Sequence, residues 1–377
     1  MARHGPAAGE PRWDYVPGLD GLRAIALLAV LAFHQQFATA RGGYLGVSSF
    51  FTLSGFLITS LAIDERRRTG RLSWRGFWER RARRLLPAAV VALVAVLVVQ
   101  AWLTVGSGPR LRGDVLSAVA YVTNWRLVMA DGGYADLFAT PSPVVHFWSL
   151  AIEEQFYLVW PVVFLIGLAL LRRRALVMAV VAGAILSSLL MAAMYEPLTD
   201  PSNVYYNTFT RLSGLLLGGA LALVWDPARR AERPAEPGIS GAATTGLGLI
   251  GAIGLGAIMR TTGEFDSFLY RGGFFLVGLT TCLLIVAATN ERTAFASVLA
   301  TAPMTWIGKR SYAIYLWHWP IVVFTRPDAD IALHGMASYA YRIGLTLLLA
   351  ELSYRLVEAP WRMSRRDRMF WRATRHR

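Results

Sequence analysis

Apolar stretches of about 20 residues follow one another from end to end of the chain, each long enough to cross a hydrocarbon core about 30 Å thick. The pattern predicts helical spans near 19–38, 44–63, 85–104, 147–171, 175–194, 208–225, 242–259, 272–289, 307–325 and 337–357, separated by short polar segments. The predicted fold class is all-α, a polytopic transmembrane helical bundle of about ten spans. An even number of crossings puts both termini on one side. The bundle covers 17–360, flanked by tails at 1–16 and 361–377.

Composition supports the membrane class. The chain is 55% hydrophobic and only 16% charged, too little charge to cover a soluble domain of 377 residues. Its formal charge of +14 invites a nucleic-acid reading, which the positions exclude. Arginines crowd into alternate connections: Arg66 to Arg84, the Arg172 triplet, Arg229 to Arg233, Arg292 with Lys309 and Arg310, and the tail from Arg362. The other connections carry scattered cases such as Arg41, Arg110, Arg126 and Arg260. This asymmetry predicts cytoplasmic termini in a multi-pass protein of the cell membrane, with the lipid bilayer as its partner. Arg229–Gly238 is a proline-rich linker. The first span has an alternative reading as a cleavable signal peptide, because its uninterrupted apolar run, Ala24–Phe33, is short and Ala38-Thr39-Ala40 follows. The lone cysteine, Cys282, excludes an internal disulfide, and no Cys–His spacing suggests a metal.

Candidate chemistry sits on three predicted helices. Arg23 and His34 are eleven positions apart, within about 20° of one helix edge and about 16 Å apart along it. Ionisable groups at membrane depth are costly and point to function, and histidine is a base near neutral pH. The structural alternative is an arginine reaching lipid phosphates and a histidine satisfied by a neighbouring helix. His146, Ser149, Glu153 and Tyr157 follow at steps of three, four and four, one polar stripe, with Glu154 about 80° off it. Glu153 is thus the better inward carboxylate, set to orient a histidine or pair with an arginine. Ser311, Tyr315 and His318 share a third face, and Pro320 is expected to loosen the helix beyond them. Arg81 and Arg84 close the most basic connection, where retention on the cytoplasmic side is the simpler explanation and phosphate binding the functional one. Ser48 lies in a small-residue stretch suited to close packing. His4, His334 and His376 receive no role.

Taken in order, these segments resemble the membrane-bound acyltransferase 3 family, which includes polysaccharide and peptidoglycan O-acetyltransferases and macrolide O-acyltransferases. The resemblance rests on Arg23 and His34, on the stretches 46–58 and 81–87, on Trp148–Tyr157 and on Ser311–Pro320. Two departures stand out: Ser48 replaces an aspartate found in many relatives, and the chain reads as a stand-alone form without a C-terminal SGNH domain. The resemblance implies acyl transfer from cytoplasmic acyl-CoA, a co-substrate rather than a bound cofactor, to a hydroxyl of a glycan or small-molecule acceptor. Arg23 would hold the donor with Arg81 and Arg84. His34 would act as general base or as transient acyl carrier, and Glu153 would orient or balance that machinery. Ser149, Tyr157, Ser311, Tyr315 and His318 would support it. The rival reading is a transporter or flippase using the same buried groups as a substrate path.

Overall fold

A computed structural model describes residues 15–103, 108–130, 141–226, 239–327 and 329–362. The proline-rich linker and most of both tails lie outside the described residues. The long helices are α1 (Pro17–His34), α2 (Gly46–Thr69), α3 (Trp74–Trp102), α6 (Phe147–Leu170), α7 (Arg173–Met194), α9 (Thr208–Val224), α10 (Gly241–Thr261), α11 (Phe274–Ala288), α13 (Ala302–Phe324) and α14 (Gly335–Ser353). Shorter elements are α4 (Gly108–Val119), α5 (Thr123–Val128), α8 (Ser202–Tyr205) and α12 (Ala294–Leu299). No strand occurs among the described residues. The protein is an all-α polytopic membrane bundle.

Local chemistry sets the boundaries. Pro17 supplies a preset φ at the start of α1. Side-chain oxygens of Ser73, Asn207 and Ser240 accept the first free N–H groups of α3, α9 and α10. Gly70, at φ +71°, ends α2 in the left-handed conformation that closes helices. Exposed valines at 90, 94 and 98 on α3, and Leu249, Ile250 and Ile253 on α10, form faces suited to lipid.

Among the described residues, eight helical segments are long and apolar enough to cross a membrane; α13 and α14 are not among them. Their polar side chains turn inward instead. Arg310 donates to Glu351 through Nη2 at 3.1 Å, and Arg342 donates to the Thr325 carbonyl at 2.7 Å and to Gln35 Oε1 at 3.4 Å. Backbones meet closely where glycine permits it. α13 crosses α1 at Gly308, where an added Cβ would lie 2.0 Å from the Asp20 carbonyl oxygen. Gly308→Ala is expected to destabilise the bundle by about 1–3 kcal/mol through overpacking, read as a lowered thermal unfolding midpoint in detergent.

Two expectations change. The basic segment ending at Arg84 is not a loop: α3 starts at Trp74, so Arg81 and Arg84 sit one turn apart on a helix. The connection after α3 also holds structure. α4 and α5 form a hairpin turning at Tyr121, at φ +53°, and Leu111 and Val115 of α4 share a core with Ala92 of α3 and Leu316 of α13. Gln155 of α6 fastens that turn, donating to the Tyr121 carbonyl and to Asn124 Oδ1, both at 2.9 Å.

Candidate active site

α1, α6 and α13 bring the candidate residues into two linked groups. Along α13, each polar residue meets a different partner. Ser311 accepts from Arg23 Nε at 3.1 Å on α1. One turn on, the Tyr315 and Ser149 hydroxyls lie 2.7 Å apart, joining α13 to α6. Another turn on, His318 Nε2 stands 3.1 Å from His34 Nδ1. Arg23 and His34 thus both face protein, as their shared edge predicts.

The first group surrounds a cavity of about 80 Å³, room for a few waters. Arg23, Arg81, Arg84, Glu153, Glu154 and Tyr157 line it, with Ser54, Tyr121 and Tyr312 among the rest of the wall. Tyr157 donates to Glu153 Oε2 at 2.8 Å, and the Arg81 guanidinium lies 3.8 Å over the Tyr157 ring. Trp78 Nε1 donates to the Tyr157 carbonyl at 3.1 Å, fixing α3 against α6. Glu154 reaches the same cavity although helical spacing sets it off the stripe, because α1, α2, α3 and α13 all wall the cavity against α6 and side chains from more than one edge of α6 enter it. Of the two roles open to Glu153, its position favours the arginine end; it shares no wall with His34.

The second group holds three histidines. His34 ends α1 and is half-buried; His318 and His146 are buried. His318 Nδ1 lies 2.6 Å from the Tyr315 carbonyl oxygen. A carbonyl only accepts, so Nδ1 carries the proton, and in its neutral form His318 presents a bare Nε2 to His34. His34 Nδ1 must then donate. The Nε2 of His34 is left with its lone pair, free to take a proton or attack a carbonyl carbon. His146 packs edge-on to His318, ring centroids 5.6 Å apart. α13 continues to Phe324 through Pro320; the missing N–H there costs one helical hydrogen bond, at Leu316, without breaking the helix. No cluster of three potential metal ligands occurs among the described residues.

Sequence reasoning assigned no role to Tyr121, Tyr312 or Arg211. Tyr121 and Tyr312 line the cavity. Arg211, on α9, donates to Ser48 Oγ at 2.9 Å. It is the one charged residue in the predicted span 208–225, which was the available signal.

The profile of the acyltransferase 3 family, described as an acyltransferase domain, matches residues 16–350, nearly the whole bundle. The chain belongs to the acyltransferase 3 family. It is 40% identical over 349 residues to the peptidoglycan O-acetyltransferase OatA of Listeria monocytogenes, covering 92% of this chain and 56% of that protein. The putative peptidoglycan O-acetyltransferase YrhL of Bacillus subtilis is also 40% identical, over 352 residues, covering 92% of this chain and 55% of the relative. The O-acetyltransferase OatA of Staphylococcus aureus is 37% identical over 351 residues, 92% of this chain and 57% of that protein. The chain therefore spans little more than half the length of these relatives. No solved structure matches it. The two groups above lie within the matched acyltransferase domain of this multi-pass membrane protein.

Proposed function

We propose that the protein transfers a short acyl group, acetyl in the simplest case, from cytoplasmic acyl-CoA to a hydroxyl of a glycan at the opposite face of the membrane. The observation that carries this reading is the His34–His318 hydrogen bond, which with both rings neutral leaves the Nε2 lone pair of His34 free on the helix edge that also carries Arg23. The arginine-rich connections support a cytoplasmic Arg23 end.

Arg81 and Arg84 would take phosphates of the donor, as guanidinium forks do. Arg23 would steer the thioester along α1 toward His34. At the far end, the acceptor hydroxyl loses its proton to His34 Nε2 while its oxygen attacks the thioester carbonyl carbon. A C–O bond forms, the C–S bond breaks, and the proton passes to the departing thiolate. His318 holds the His34 ring and spreads the imidazolium charge through the shared proton. Nε2 would equally be the atom acylated if His34 carries the group in two steps, an intermediate that rapid quenching with labelled donor would trap.

Purified protein given radiolabelled acetyl-CoA and a peptidoglycan or polysaccharide acceptor is expected to form labelled glycan. Substrate movement with no labelled product would favour the transporter reading. Arg81→Ala is expected to raise the KM for acetyl-CoA by about tenfold, the loss of one charge-assisted contact, with a much smaller change in the KM for acceptor. An unchanged donor KM in both Arg81→Ala and Arg84→Ala would remove the phosphate role.

A further inference from the structure

The cage of aromatic rings around Arg211 belongs to neither group described above. The arginine side chain is 3% exposed. Nη2 donates to Ser48, while Nε and Nη1 are buried without a hydrogen-bond partner. Rings of Phe274, Tyr205, Phe51 and Trp148 surround the guanidinium carbon at 4.0, 4.9, 5.5 and 5.8 Å. Among the described residues, no carboxylate pairs with it. Aromatic faces return part of the cost of burying a cation, but they leave two N–H donors unmet. A buried charge in that condition calls for an anion.

Its place in the bundle indicates which anion. Arg211 is the fourth residue of α9 and Ser48 the third of α2. Both lie at the end of the bundle where α1 finishes in His34 and α6 begins at Phe147. Trp148 joins this cage to the histidine end, because the next residue, Ser149, makes the hydroxyl contact with Tyr315. One wall also follows a break in its helix. Phe274 follows a π-helical turn, Leu269–Gly273, in which Arg271 leaves helical geometry and Gly272 takes φ +125°. Such turns interrupt the helical ladder and recur at functional sites.

We propose that Arg211 is an acceptor-side anion subsite, binding a carboxylate or phosphate carried by the glycan whose hydroxyl is acylated. An unmet N–H, on Nε or on Nη1, meets the oxyanion together with the second N–H of Nη2, the nitrogen that also donates to Ser48. This inference rests on the placing of the acceptor at the His34 end under the proposed function.

The test is calorimetry on the full chain in nanodiscs of zwitterionic lipid, titrated with glucuronate, glucose 6-phosphate and methyl glucoside. At least one acidic sugar is expected to bind ten times tighter than methyl glucoside or better, and Arg211→Gln to remove the difference. Ser48→Asp gives Arg211 an internal carboxylate and is expected to remove it too while keeping the thermal midpoint. That variant also reads the proposal if Arg211→Gln fails to fold. Coenzyme A is expected to bind wild type and Arg211→Gln alike. Equal binding of acidic and neutral sugars by wild type, or binding of none, overturns the proposal. So does an acid preference that survives in Ser48→Asp, or loss of coenzyme A binding in folded Arg211→Gln. In nanodiscs containing phosphatidylglycerol, competition by the lipid at the level of the acidic sugar would assign the oxyanion to a headgroup and overturn the acceptor assignment. Binding is measured without turnover, so loss of the acid preference sinks the subsite alone, and absence of acyl transfer sinks the reaction alone.

Discussion

Replacing His34 with alanine is expected to lower the acyl-transfer rate by about 10²- to 10⁴-fold, the usual worth of a positioned acid–base group. His34 is the last residue of α1, so alanine there removes the ring without opening the middle of a packed helix. A normal gel-filtration profile and thermal midpoint should accompany the loss. Donor KM should stay near wild type, because the Arg81 and Arg84 cavity lies toward the other end of α1. His318→Ala should give a smaller loss, since His318 fixes the ring and proton of His34 without meeting substrate under this account. Equal effects in both variants would show that the two rings act as one reacting unit. Unimpaired transfer by His34→Ala would remove the general base.

Arg23→Leu is expected to impair both folding and catalysis. The guanidinium donates to Ser311, lies near the Phe50 ring and shares a cavity wall with Glu153 and Glu154. Taking the cation away removes one of the three arginines that line the cavity with two carboxylates, a change expected to cost up to the roughly 3–5 kcal/mol of a buried charge that loses its partner. A thermal midpoint lowered by several degrees and a fall in kcat/KM of about a hundredfold or more are the expected readings. Arg23→Lys should recover much of the stability, because it restores the charge, but less of the activity, because a lysine cannot reproduce the fixed fork. Full activity in the lysine variant would show that Arg23 contributes only charge.

The parts legible in the sequence were those governed by periodicity. Helical spacing put Arg23 and His34 on one edge, and each does meet α13, through Ser311 and His318. The same arithmetic aligned Ser311, Tyr315 and His318, which reach across to α1 and α6. Two kinds of feature were hidden. The α4–α5 hairpin has a 12-residue and a 6-residue helix, too short to register as a span. Its burial depends on Gln155 and on packing against α3, which a one-dimensional pattern does not carry. Glu154 lies off the Glu153 stripe, whereas a cavity walled by several helices collects side chains about 100° apart on one of them. Arg211 was visible as a charge in an apolar span, but its unmet donors and ring of aromatics exist only in the fold.

The central claim is that donor and acceptor enter from opposite ends of the bundle and meet at His34. Proteoliposomes in which only the population with the Arg81 end facing the lumen can react test it most directly, with radiolabelled acetyl-CoA sealed inside and a membrane-impermeant glycan acceptor outside. The account predicts labelled glycan outside, formed by wild type and lost in His34→Ala. Product that forms only when donor and acceptor share one compartment would contradict it.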